Sequence, residues 1–114
     1  MQQYALALLV SGLRSLYAAE PPRVYLCGSR ARGDARPDSD LDIALVFPHP
    51  VQHHAEMART SHLRLAVLEA TGLIVDFAFL TPAQWERAGS REAPATSAEE
   101  IHRSLRSVAQ EIPT

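Results

Sequence analysis

Three short apolar runs limit what this chain can fold into: residues 24–27 (VYLC), 40–47 (DLDIALVF) and 73–80 (LIVDFAFL). Each is bounded by turn-forming residues and is rich in β-branched or aromatic side chains, so each reads as a strand. Only residues 28–39 separate the first two, and that stretch of Gly, Pro, Asp and Ser has no room for the helix a parallel crossover normally carries. The first two strands are therefore expected to pair antiparallel. The long helical pattern of residues 51–70, stopped by Thr71 and Gly72, lets the third run parallel to its neighbour. A mixed sheet follows.

Helices fill the remainder. Leu6, Leu9, Leu13 and Leu16 mark a core-facing helix that ends at "EPPR", because proline cannot continue it. Ser29 is placed to cap a short helical turn over "RARG". Thr81 followed by Pro82 opens another short helix through Trp85, and residues 88–97 read as a loop. After the capping-box pattern "SAEE", Ile101, Leu105, Val108 and Ile112 predict a terminal helix with one apolar face. The expected class is α+β, a small mixed sheet flanked by helices, in one domain over residues 1–114.

Composition narrows the partners. A formal net charge of -2 provides no general basic field for nucleic acid, so any polyanion must be met locally. Every basic residue is Arg, which excludes a Walker loop, since that motif needs its lysine. The one cysteine, Cys27, lies in an apolar run and reads as a buried structural thiol in a reducing, cytoplasmic setting. The amino-terminal segment has no basic stretch before its apolar residues and is interrupted by Ser11 and Arg14, so neither a signal peptide nor a membrane span is expected.

The chemistry concentrates in "GSRARGDARPDSDLDI". On a strand, Asp40 and Asp42 would share one face with Cα atoms roughly 7 Å apart, while Leu41 and Ile43 face the other way. Two carboxylates so close repel, and Mg²⁺ answers them with a hard cation that keeps positions open for phosphate and water. Asp76, alone in an apolar strand, is expensive to bury unpaired and supplies a third ligand if its strand adjoins the second. Three carboxylates can hold two metals in the arrangement that suits in-line displacement at phosphorus. Gly28 lets the chain approach a phosphate closely, Ser29 adds a hydroxyl, Arg32 adds a guanidinium, and Gly33 turns the chain back towards the aspartates.

Taken singly, these features have ordinary readings. Gly-Ser is a common turn, Asp-x-Asp can be a solvated edge, and Asp76 can pair with an arginine. Arg30 and Arg36 read as surface charges. "RGD" at 32–34 is taken as coincidence, and His53 and His54 as solvated.

In combination, Gly28 and Ser29, ten intervening residues, then Asp40, Leu41 and Asp42 resemble the signature of the DNA polymerase β-like nucleotidyltransferase superfamily. Within it, the short chain is similar to the minimal nucleotidyltransferase (MNT) family. That resemblance implies a small mixed sheet with helices around it, Asp40 and Asp42 on two catalytic Mg²⁺ ions and the nucleoside triphosphate, Asp76 as the third carboxylate, and Gly28, Ser29 and Arg32 on phosphate. It further implies an antitoxin that transfers AMP from ATP to a tyrosine of a HEPN-domain toxin. The alternatives are an antitoxin that neutralises by docking alone, and transfer to a small molecule or to RNA.

Overall fold

Strand alternation sets the layers. The computed structural model describes residues 1–90 and 97–114. In β2 (Leu41–Val46), Leu41, Ile43 and Leu45 enter one core while Ala44 and Val46 enter another. β1 (Arg23–Cys27) divides the same way, Val24 and Leu26 against Tyr25 and Cys27. The sheet is thus covered on both faces, the buried arrangement expected for strands with few polar interruptions.

Helix α1 (Gln2–Leu16) packs Ala5, Leu6, Leu9 and Leu13 into the first core. Leu16, expected on that stripe, is exposed at the helix end, and Ala5 takes up the buried position one turn before Leu9. The second face carries α5 (Pro82–Ala88) and α6 (Ser97–Ser107), with Trp85 and Leu105 against Tyr25, Ala44 and Leu80. As the sequence implies, Thr81 starts α5 with a complete capping box, its side chain accepting from Gln84 N–H and the Gln84 side chain accepting from Thr81 N–H. Residues 91–96, within the expected 88–97 loop, lie outside the described residues.

β1 and β2 pair antiparallel, and β3 (Val75–Leu80) lies parallel to β2, both as expected. Two expected helices differ in kind from the expectation. The 51–70 pattern forms two helices, α3 (His53–Arg59) and α4 (Ser61–Thr71), because the buried Thr60 hydroxyl donates back to the Glu56 carbonyl at 2.8 Å and the chain bends there. Gly72, left-handed at φ 76°, ends α4 as expected. The terminal stripe is not one helix either: α6 stops at Ser107, and β4 (Gln110–Ile112) pairs antiparallel with β1. Pro113 disfavours helical geometry at Ile112, and the otherwise open edge of β1 supplies partners for the freed backbone. The order across the four-stranded sheet is β3-β2-β1-β4. Among the described residues, no helix is long and apolar enough to cross a membrane.

Candidate functional site

The register brings the predicted residues to one end of the sheet. Cys27 stands opposite Asp42, and Asp42 opposite Asp76, so the three form a row across β1, β2 and β3. Asp42 is half-buried and Asp76 exposed, on the face that further along carries Ala44 and Val46. Asp40 is exposed and precedes β2, which begins at Leu41, so the expectation of both aspartates inside the strand is corrected: the turn-rich segment extends one residue further.

That segment is held by a residue the sequence reading treated as a surface charge. The Arg30 guanidinium donates to the Ser39 carbonyl at 2.8 and 3.1 Å, to Pro37 O at 3.2 Å and to Arg36 O at 3.3 Å. A planar fork of donors suits a loop that turns several carbonyls inward, and here it fixes the residue before Asp40. Nothing in the sequence separates Arg30 from Arg32 or Arg36 in this role, because the acceptors are backbone atoms.

Between β1 and that segment lies α2 (Gly28–Arg32). Ser29 was expected to cap it; Gly28 instead begins the helix, Cys27 occupies the cap position with no side-chain bond, and Ser29 lies in the first turn. Gly28 has φ +65°, and a Cβ there would fall on the Asp42 carboxylate, 3.0 Å from Cγ and overlapping Oδ2. Only glycine allows this backbone to lie directly against Asp42. Gly33, at φ +88°, closes the turn in open space, with its N–H and that of Asp34 both donating to Ser29 O. Arg32 is exposed and pairs with Asp34 at 3.3 Å.

Electrostatics ties the same residues together. Burial pushes the Asp42 carboxyl above its ordinary value, Asp76 and Asp40 push it further, and Arg32 opposes them. The overlapping fields of three carboxylates suit a hard cation, and the Gly28 backbone leaves the Asp42 oxygen clear of a side chain. Among the described residues, no three His, Cys, Asp or Glu side chains already enclose a metal position. Cys27 is buried, as expected, with its thiol pushed up to about 11, chiefly by burial.

Beside Asp76, a cleft of about 260 Å³ runs along the open edge of β3, lined by Asp42, Asp76, His53, Phe79, Ile101 and His102 among others. His53 meets Phe79 edge-on at 5.4 Å between ring centroids. Burial lowers the His102 pKa, with Glu99 opposing. Neither His102 nor His53, expected to be solvated, is marked by the sequence for this position, since no spacing links residues that α3, β3 and α6 bring together.

Comparisons with known proteins bear on the family and the fold. A family model described as "Nucleotidyltransferase domain" matches residues 7–102. A crystal structure of a toxin-antitoxin with AMP-PNP is similar at TM-score 0.59 and 16% identity, over 92% of this chain and 69% of that one. The structure of a tri-AMPylated Shewanella oneidensis HEPN toxin with its MNT antitoxin is similar at TM-score 0.54 and 16% identity, over 97% of this chain and 71% of that one. A protein described only as a candidate minimal nucleotidyltransferase matches at TM-score 0.52 and 25% identity, over 99% of this chain and 91% of that one. No curated protein sequence matches.

Proposed function

The chain belongs to the nucleotidyltransferase domain family, and on that premise we propose that it transfers AMP from ATP to a protein hydroxyl, as the cytoplasmic antitoxin of a HEPN-domain toxin. The observation that carries this reading is the close approach of Gly28 to Asp42: it sets the glycine turn against a carboxylate that stands beside Asp76 at one sheet end. The likeness to toxin-antitoxin structures, one with AMP-PNP and one with an AMPylated HEPN toxin, supports the partner and the nucleotide.

Placement supports the following proposed roles. The backbone of the Gly28–Ser29 turn and the Ser29 hydroxyl receive phosphate oxygens, and Arg32 exchanges its exposed pairing with Asp34 for the triphosphate. Asp40, Asp42 and Asp76 would hold two Mg²⁺ ions, which when bound neutralise phosphate charge and make the attacking hydroxyl more acidic. Asp76, nearest the open edge, orients that hydroxyl and takes up its proton. The acceptor oxygen bonds to the α-phosphorus as the bond to pyrophosphate breaks, and pyrophosphate leaves on the Gly28–Ser29 side. Positioning and charge neutralisation supply most of the acceleration.

A second reading, neutralisation by docking alone, is favoured by the exposed position of Asp40 outside the strand. The two separate in one experiment. ATP labelled at the α-phosphate is incubated with Mg²⁺, the chain and its HEPN-domain partner. Label on a partner tyrosine, absent with Asp40→Asn and Asp42→Asn, is expected. Neutralisation by the double variant without label supports docking instead.

A further inference from the structure

We infer that Arg103 and Arg106 bind a small phosphate anion at the junction where α5 and α6 end, away from the carboxylate row. A cavity of about 340 Å³ opens there, lined by Ala88, Gly89, Ser90, Arg103, Arg106 and Ser107. Ala88 and Ser107 are the last residues of the two helices. The cavity shares no residue with the cleft beside Asp76 or with the Gly28–Ser29 turn, so the inference stands apart from the transfer reaction.

Unanswered donors carry the argument. Arg106 lays its guanidinium over the Trp85 ring, 5.1 Å from the centroid, and against Gly89, where an added Cβ would stand 3.4 Å from Nε. Stacking on the indole holds the fork of donors in place before any ligand arrives. Nε of Arg106 is nonetheless buried without a hydrogen-bond partner, and so is Nε1 of Trp85, a residue only 5% exposed. Of the three buried side-chain N–H groups left unpaired among the described residues, two fall in this one stack. Such a group costs about 1–3 kcal/mol unless an acceptor reaches it. The Arg103 side chain, one turn earlier on α6, likewise makes no hydrogen bond or ion pair among the described residues.

Charge and donor number select the occupant. Among the described residues no carboxylate lines the cavity, and Glu99, in the first turn of α6, pairs with Arg87 at 3.1 Å. Each helix end brings about half a negative charge, and two guanidiniums exceed that pair by about one unit. An anion is therefore attracted. Two donor forks offer more N–H groups than the pair of oxygens on a carboxylate can use, whereas phosphate oxygens can accept from both. With a net charge of -2 the chain must meet a phosphate locally, and this junction supplies the means.

The test uses Trp85, the single tryptophan of the chain, as its reporter. Inorganic phosphate, pyrophosphate and acetate are titrated separately into the full chain in EDTA at constant ionic strength, and indole fluorescence is followed alongside calorimetry. Phosphate and pyrophosphate are expected to give one saturable change, and acetate none over the same range. Arg103→Gln leaves the stack on Trp85 in place and is expected to weaken phosphate binding by about 10- to 100-fold; Arg106→Gln should remove the fluorescence change. An unaltered affinity in Arg103→Gln would overturn the inference, as would an equal response to acetate. So would a wild-type chain that shows no saturable signal by either method. Loss of binding in Arg32→Gln with Arg103→Gln unaffected would move the anion to the Gly28–Ser29 turn, and overturns it as well.

Discussion

Replacing Gly28 by alanine separates backbone strain from the contact with Asp42. Two effects add at this position. The left-handed conformation at φ +65° costs a non-glycine residue about 1–2 kcal/mol. The new Cβ also overlaps Asp42, whose Cγ and Cβ lie 3.0 and 3.2 Å away, so the strand residue must shift along with its carboxylate. Overpacking of this kind costs about 1–3 kcal/mol. Gly28→Ala is thus expected to destabilise by about 2–5 kcal/mol, a large share of the roughly 5–15 kcal/mol typical of a domain. Gly33→Ala provides the control, because its φ of +88° carries the same strain while nothing lies within 4 Å of the added Cβ. It should lose only the first contribution. In an Asp42→Ala background the overlapping oxygen is gone, and the cost of Gly28→Ala should fall by about 1–2 kcal/mol, read as a coupling energy from urea unfolding of the four proteins. Equal losses for Gly28→Ala and Gly33→Ala, with no coupling to Asp42, would refute the argument that glycine is required by the carboxylate behind it.

Asp42→Asn should stabilise the metal-free protein at neutral pH while abolishing transfer. The Asp42 carboxyl is raised above its ordinary 3.8 in the fold, so ionisation costs stability as pH rises through the folded value, and the variant escapes that cost. A gain near pH 7 that vanishes below about pH 3.8 is expected in thermal unfolding across pH; a variant less stable than wild type at pH 7 contradicts it. Arg30→Ala removes the donors that hold the carbonyls of Arg36, Pro37 and Ser39, with an expected loss of about 1–3 kcal/mol. Hydrogen exchange should accelerate over residues 34–40 and stay unchanged in β2; uniform acceleration would assign Arg30 a global role.

The sheet was legible because its strands are punctuated by glycine and proline, and because a connection as short as 28–39 permits one orientation. Asp42 and Asp76 could meet only if the third strand adjoined the second; it does, and they stand in register. The misses have identifiable physical causes. Ile112 fits the helical stripe, yet Pro113 and the unpaired edge of β1 turn it into a strand, a competition settled by partners far away in sequence. The break at Thr60 depends on one hydroxyl bonding to a carbonyl in the previous turn. Arg30 binds backbone oxygens, and His53, Phe79 and His102 meet only after three elements pack, so neither spacing nor residue type announces them.

The central claim is that one end of this sheet binds a metal-nucleotide through Gly28–Ser29 and the carboxylates. Calorimetric titration of the full chain with a non-hydrolysable ATP analogue tests it most directly, with Mg²⁺ and then with EDTA, on wild type and folded Asp42→Asn. The account predicts one saturable site that requires Mg²⁺ and is weakened by about 10- to 100-fold or more in the variant. Binding of equal strength without the metal, or in Asp42→Asn, would contradict it.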